Sequence, residues 1–527
     1  MAKRKYPVGI QTFSDIIRRG CVYVDKTDLV WRLTDDQKFV FLSRPRRFGK
    51  SLLSSTLHSY FDGDKSLFEG LKIMELEKEW KQYPVLHLDM SPCKNEATAD
   101  GLRESLMYYV GQYAETYGKK EDETTPGKLF TGLIKRAYQQ TGRQVVVIID
   151  EYDAPLLDSL HEDEVLAAKR RVMQDLYSPL KACDPYIRFC FITGITKFSQ
   201  LSIFSTINNL LNITMLPQYS AICGITETEL TTTLWQDIEL LAEHYGCSAE
   251  EMHQMLKRKY DGYRFSEDAE EIYNPYSLMT AFLAQKLDNY WFGSGTPTFL
   301  IRQMQRFNTD LLRLDNMEAS AAEFDRPTEA MTDALPLLYQ SGYITIKGYN
   351  RATDEYTLAI PNQEVRVGLI YGLLPYYTGL QSSQVQSGFA TKFFKALLQR
   401  DVNQAMLAMQ SYMAGIPYVE GFKQKLSEAA VKEAFYEYTM YLILSMLNVH
   451  VSTQVRVATG RIDMVAWMPD TVYVFELKVN GTAADALRQI DEKGYTLPFQ
   501  ADGRKVVKVG VHFDPDTRVP DEWVIDE

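Results

Sequence analysis

The sequence predicts an α/β chain, with a parallel sheet flanked by helices in its first half and a smaller α/β fold at its C-terminal end. Three stretches carry that expectation. Phe39-Val40-Phe41-Leu42 is an apolar, β-rich run that passes through a short loop into a helical pattern opening at Phe48-Gly49-Lys50-Ser51. Val145-Val146-Val147-Ile148-Ile149 is an unbroken β-branched run closed by Asp150-Glu151, the mark of a strand buried on both faces. Near the end, Gly460–Trp467 and Val472–Lys478 are two strand patterns joined by a turn at Pro469-Asp470.

Residues 1 to about 38 hold a short helical pattern at Phe13-Ser14-Asp15-Ile16-Ile17 and a strand or turn at Tyr23-Val24-Asp25-Lys26-Thr27. The strand, loop and helix that follow have the order of a nucleotide-binding P-loop. Such a loop wraps phosphates in backbone N–H groups, aims a helix N-terminus at them, and adds a Lys for charge and a Ser hydroxyl for Mg²⁺. On that reading Arg46, Arg47, Phe48, Gly49, Lys50 and Ser51 bind ATP, Ser51 is a Mg²⁺ ligand, and the opening segment covers the base. The usual first glycine of the motif is Arg44. The charges of Arg44, Arg46 and Arg47 either neutralise phosphate or a partner's acid, or form a solvated basic loop.

After Ser51, the residues Leu52, Leu53, Thr56, Leu57 and Tyr60 recur at helical spacing, and Val85-Leu86-His87-Leu88-Asp89 reads as a strand. A mostly helical region from about 97 to 140 precedes the Val145–Ile149 strand. Asp150 and Glu151 then stand where a Walker B site places its acids, Asp150 for the Mg²⁺ shell and Glu151 for the attacking water. A helical stretch from about 163 to 182 leads to the strand Ile187–Gly194. Its Thr193 either contacts the γ-phosphate or satisfies its own strand end. Alternating strands and helices imply right-handed crossovers and a doubly wound sheet with its ligand at the carboxyl edge.

From about 226 to 292 the pattern is helical, opened by the capping box Thr226-Glu227-Thr228-Glu229, and is expected to form a lid. Residues 330 to 370 read as helix, turn and hairpin, a winged-helix-like order. Gln381-Ser382-Ser383-Gln384 is the linker candidate, followed by helices to about 447.

At 527 residues the chain is too long for one core, and roughly 100 to 200 residues per domain suggests about three to four units. With 45% hydrophobic and 24% charged residues it is expected to fold throughout. Six scattered Cys residues without zinc or CxxC spacing read as free thiols in a reducing compartment. No apolar run approaches the length of a membrane span and no h-region follows the basic start, so a cytoplasmic protein without a membrane role is expected. The net charge of −12 argues against a nucleic-acid coat protein, while leaving room for a local basic channel.

Five segments together resemble a known family: RPRRFGKS ending at Ser51, DEYD from Asp150, TGITKFS from Thr193, YDGYRF from Tyr260 and NPYSL from Asn274. They look like the bacterial AAA-ATPase-like proteins, whose P-loop module is usually fused to a C-terminal PD-(D/E)XK nuclease-like domain. The resemblance implies an ASCE/AAA-like P-loop NTPase core over residues 1–225, a helical lid over 226–325, a winged-helix-like module over 326–380, and a helical linker with the nuclease-like domain over 381–527. In that family the first Walker glycine is commonly replaced, as it is here by Arg44. The family's ATPases often complete their site from a neighbouring subunit, so a homo-oligomer is expected; Lys197 and Arg264 are the weaker candidates for a charge-stabilising finger within the chain.

A PD-(D/E)XK site needs an acid on one strand and Glu-x-Lys on the next, so that two carboxylates and a carbonyl hold Mg²⁺ while Lys assists the water. Asp463, Glu476, the Leu477 carbonyl and Lys478 offer that set, with Glu476 and Lys478 on one face by strand alternation. Ordinary charges on a half-exposed strand give the same pattern. The resemblance adds Glu433 as a metal-proximal acid, with Glu437 beside it, and Gln489 and Tyr495 on a following helix. The expected function is an ATPase controlling a Mg²⁺-dependent nuclease that acts on DNA more than RNA, in genome defence or mobile-element biology. The alternative is a nucleotide-dependent switch or scaffold that binds nucleic acid or a protein partner without cutting.

Overall fold

The computed structural model describes residues 4–160, 162–197, 209–291, 298–307, 309, 314, 316–327, 331–369, 383–415, 436–437, 440–441, 444, 450–517 and 519–526. The chain divides into two compact units, Met1–Thr309 with Asn316–Glu364, and Asp310–Asp315 with Val365–Glu527.

In the first unit, β1 (Phe39–Ser43), β2 (Val85–Asp89), β3 (Val145–Asp150), β4 (Ile187–Gly194) and β5 (Leu211–Asn212) form a parallel sheet in the order β2-β3-β4-β1-β5. Every residue of β3 is buried, as successive β-branched side chains require when helices cover both faces. The registers Leu42↔Thr193 and Asp89↔Asp150 align the carboxyl ends. The loop after β1 and the acids ending β3 therefore share the edge at which such sheets take ligands.

The helix Lys50–Phe61 buries Leu53, Leu57 and Phe61, and Pro126–Thr141 buries Leu129, Phe130, Leu133, Ile134 and Ala137 along one stripe. Each large side chain in such a stripe contributes about 1.5–3 kcal/mol of burial. The second of these helices starts where the Thr125 hydroxyl accepts from the Lys128 N–H and stops at Gly142, whose φ of 66° a side chain would strain. β6 (Ile225–Thr226) and β7 (Ile272–Tyr273) pair antiparallel. Around them the helices Glu227–Thr233, Trp235–Tyr245, Ala249–Tyr260 and Pro275–Ala284 pack on Leu230, Ile238, Leu256 and Phe282. The Thr226 capping box forms, with the Glu229 N–H donating to the Thr226 hydroxyl at 3.2 Å and the Thr226 N–H to the Glu229 carboxylate at 2.9 Å. A small antiparallel sheet joins β8 (Met317–Ala319), β9 (Thr345–Asn350) and β10 (Glu355–Ala359) in the order β8-β10-β9, with the helix Leu335–Gln340 between β8 and β9 in the chain.

The second unit is built on β11 (His450–Val457), β12 (Gly460–Trp467), β13 (Thr471–Lys478), β14 (Lys505–Phe513) and β15 (Pro520–Asp526), in sequential order. All neighbours run antiparallel except β13 and β14, which are joined by a crossover containing the helix Ala483–Glu492. That helix lays Ile490 on Ile462, Val465, Val472 and Val474. The helices Ser383–Leu398 and Val402–Ala414 also belong to this unit, the Tyr473 hydroxyl donating to the Leu397 carbonyl and the Gln410 amide to the Pro520 carbonyl, both at 2.8 Å. Of the expected linker, Gln381 and Ser382 lie outside the described residues, while Ser383 and Gln384 open a helix. Val385, Phe389, Phe393 and Leu397 follow at a spacing of one helical turn, which outweighs the polar start. No helix among the described residues is long and apolar enough to cross a membrane.

Candidate nucleotide and metal sites

The loop after β1 turns into the helix Lys50–Phe61 at Gly49, whose φ of 93° is open to glycine. Arg46 to Ser51 line a cavity of about 420 Å³ together with Glu151. Its other walls come from Pro7–Gln11 and Val22–Val24 of the opening segment, and from Pro275, Tyr276 and Met279 of the helical region. The Lys50 ammonium is buried and donates to the Arg44 and Pro45 carbonyls, both at 3.0 Å. Burial pushes its pKa down, and Glu151, Asp150 and Asp153 pull the other way.

Asp150 is buried and outside the cavity lining; burial raises its pKa, and the Ser51 side chain and the Lys50 charge oppose the rise. Burial likewise raises Glu151, which sits at φ 50°. A non-glycine residue there stores about 1–3 kcal/mol of strain, a feature that clusters at functional sites. Thr193 is fully buried, outside the cavity lining, and its hydroxyl donates to the Leu42 carbonyl at 2.8 Å. Lys197 pairs with Asp325 at 2.5 Å and Arg264 reaches the Lys347 carbonyl at 3.4 Å; neither lines the cavity.

The three arginines divide. Arg44 is buried and donates to the carbonyls of Ser43 and Thr214 through Nη1 and of Tyr219 and Ser220 through Nη2, with its guanidinium 4.0 Å from the Phe265 ring centre. Burial draws its pKa down to about 10. The Arg47 guanidinium donates to the Tyr290 and Trp291 carbonyls at 2.5 and 3.0 Å and stacks over Tyr276 at 4.1 Å. The Arg46 carbonyl accepts from the Trp291 indole at 3.2 Å. Phe48 is buried between Tyr263 and Phe265, at ring distances of 4.7 and 5.4 Å.

Asp153, which the sequence pattern did not single out, is fully buried and accepts from the Ile195 N–H and from the Thr196 N–H and hydroxyl. The Tyr152 hydroxyl donates to the Thr196 carbonyl at 2.9 Å. DEYD thus ties β3 to the turn after β4. The acid three places beyond Asp150 was the signal available for it.

In the second unit Met464↔Phe475 is the last pair between β12 and β13, beyond which the strands splay. The Leu477 N–H, left without a ladder partner on that side, donates to Asp463 Oδ2 at 2.8 Å. Glu476 Oε1 accepts from Lys478 Nζ at 3.1 Å and from the Gln489 amide, while Oε2 is buried with no partner. Burial first, and the Asp463 charge second, push Glu476 up to about 7; burial also raises Asp463, opposed by the Leu477 N–H and by Lys478 and Arg461. On β11, Gln454 has φ 53° and stands between the Thr453↔Met464 and Val455↔Ile462 pairs, opposite Asp463. Its amide donates to the Glu437 carboxylate at 2.5 Å. Glu433 lies outside the described residues. Nothing in the sequence pointed to Gln454, because a left-handed residue inside a strand leaves no compositional mark.

Two adjoining carboxylates with an orphaned buried oxygen fit a divalent cation. Among the described residues no three His, Cys, Asp or Glu side chains converge. Asp463, Glu476 and the Leu477 carbonyl would therefore hold it with water completing the shell, as suits Mg²⁺.

A loop-lined cavity at the carboxyl edge of a parallel sheet, followed by a mixed sheet carrying D…ExK, defines an NTPase-type module joined to a nuclease-superfamily fold. Residues 7–204 match the family model described as Predicted AAA-ATPase, and residues 431–523 that of the PD-(D/E)XK nuclease superfamily. A protein of Azotobacter chroococcum mcd 1, designated an uncharacterized protein in vnfD 5'region, is 33% identical over 538 residues, covering 98% of each chain. The chain belongs to the AAA-ATPase-like proteins that carry a C-terminal PD-(D/E)XK nuclease-superfamily domain.

Proposed function

We propose that this chain binds and hydrolyses ATP in its first unit and, with that unit in control, cuts nucleic acid at a Mg²⁺-dependent site in its second, DNA more than RNA. The observation that carries the nuclease half is the buried, partnerless Glu476 Oε2 beside Asp463. A carboxylate oxygen in that state costs free energy unless a cation or proton satisfies it.

In the first unit, the N–H groups at the start of Lys50–Phe61 and the Lys50 ammonium receive phosphate, exchanging the Arg44 and Pro45 carbonyls for phosphate oxygens. Ser51 and Asp150 hold Mg²⁺, and Glu151 orients the hydrolytic water. The opening segment and Tyr276 enclose the base. In the second unit Asp463, Glu476 and the Leu477 carbonyl hold Mg²⁺. When bound, the ion stabilises charge developing on the attacked phosphate. Lys478, 3.1 Å from Glu476, orients the water and moves its proton, and Gln489 fixes the Glu476 carboxylate. The net charge of −12 supports a second reading, a nucleotide-dependent scaffold that binds a protein partner without cutting.

Cleavage of plasmid, linear and single-stranded substrates with Mg²⁺ or Mn²⁺, with and without ATP, tests the proposal. Cutting that requires metal and disappears in Asp463→Ala and Lys478→Ala is the expected result. Undiminished cutting by those variants contradicts it, and a wild-type protein that cuts nothing leaves the scaffold.

A further inference from the structure

We infer that the tip of the β11–β12 hairpin grips the phosphate backbone of DNA through Arg456 and Arg461, with Lys493 beside them. The inference rests on the nuclease reading above.

Arg456 and Arg461 are directly opposed across the antiparallel ladder, and both are exposed. Like charges in that relation repel and destabilise a strand pair. A hairpin that served only its own folding would gain nothing from them. Among the described residues Arg456, Arg461 and Lys493 form no ion pair; Arg461 acts on Asp463 only through its charge, and the acids at the end of the neighbouring helix are engaged elsewhere. Asp491 binds Lys508 at 2.7 Å and Glu492 faces Arg488 at 4.0 Å.

The tip is also held in place. The Thr459 hydroxyl donates to the Lys493 carbonyl, and the Arg461 N–H to the Tyr495 hydroxyl at 3.3 Å. Gly460 runs so close to Tyr495 that a Cβ would stand 2.8 Å from the phenolic oxygen. These interactions pin the hairpin to the end of the helix Ala483–Glu492, so the backbone that carries the three cations is already in place and needs little ordering for binding. Arg461 precedes Asp463 by two residues, about 7 Å along a strand. A backbone held on the patch therefore runs on toward the Asp463–Glu476 carboxylates. The grip is on phosphate and carries no sequence information.

The test uses the full chain, a short DNA duplex, and Ca²⁺ in place of Mg²⁺ to withhold cleavage. Binding is followed by anisotropy across a salt series. Arg456→Gln with Arg461→Gln is expected to flatten the slope of log K against log salt by about 1.8, about 0.9 for each phosphate that is no longer neutralised. The KM for cleavage in Mg²⁺ rises in step, the Arg456→Lys with Arg461→Lys protein keeps the wild-type slope, and the thermal midpoint of the Gln variant is unchanged or higher because the repulsion is gone. A wild-type slope in the Gln variant overturns the patch alone if the wild type cuts DNA. A wild type that neither binds nor cuts DNA overturns the patch and the nuclease reading together.

Discussion

Arg44 Nη1 donates to the Thr214 carbonyl at 2.8 Å, which places the residue at the first glycine position inside the fold and outside the lining of the cavity. Its side chain spans β1 and the segment around Tyr219 and Ser220. Truncation leaves a cavity and four carbonyls short of a donor, and relief of the buried charge offsets only part of that. Arg44→Gly, although it restores the ordinary motif, is expected to cost about 3 kcal/mol in a denaturant titration. Arg44→Lys should fail similarly, since an ammonium cannot span two sets of carbonyls. A stable Arg44→Gly protein with tighter nucleotide binding would contradict this.

Glu151 holds φ 50° at the cavity edge. Glu151→Gly is expected to gain about 1 kcal/mol of stability while losing phosphate release, because it removes both the strain and the carboxylate proposed to orient the water. Glu151→Gln keeps the strain and retains ATP. Release of phosphate at the wild-type rate by Glu151→Gln would show that the residue has no part in hydrolysis.

Glu476 is held up to about 7 against an ordinary value of 4.5. Between those values the metal-free folded protein keeps a proton that the unfolded chain releases, so this group's contribution to stability falls as pH rises through the window. A cation needs the ionised form, so Mg²⁺ affinity is expected to rise with pH over the same interval and level off above about 7. Denaturant midpoints with and without Mg²⁺ on either side of the window read both effects. Glu476→Gln should stabilise the metal-free protein above the window and abolish cleavage.

Gly510 is the β14 partner of Glu476, and a Cβ there would lie 2.3 Å from the Ala483 carbonyl and 2.7 Å from the Leu487 nitrogen. The bare backbone lets the helix bearing Gln489 seat against the strand that carries Glu476. Gly510→Ala is expected to cost about 1–3 kcal/mol by pushing that helix outward. Cleavage should fall beyond the loss of folded protein, as Gln489 is drawn off Glu476. Unaltered specific activity in the folded fraction would show that this seating does not matter to the site.

What the sequence made legible follows from where each interaction lies along the chain. β1, β3 and β4 announced themselves because a strand buried on both faces is apolar over most of its length, and Asp463 and Glu476-Leu477-Lys478 stood out because their spacing sets which face they occupy. The fate of Arg44 was not legible, since three of its four carbonyl partners lie 170 or more residues downstream. Asp153 was visible as the last acid of DEYD, but its role was hidden for a similar reason, its donors being on the turn after a different strand. The Gln454 backbone was hidden because only the folded ladder shows that Asp463 is without a cross-strand partner.

Control of cleavage by the nucleotide unit is read by pairing ATP hydrolysis and DNA cleavage assays on the wild type, Lys50→Ala and Asp463→Ala. Asp463→Ala is expected to hydrolyse ATP but cut nothing, and Lys50→Ala to lose hydrolysis and with it the response of cleavage to ATP. Cleavage by Asp463→Ala at the wild-type rate, or cleavage by Lys50→Ala that responds to ATP as the wild type does, would contradict it.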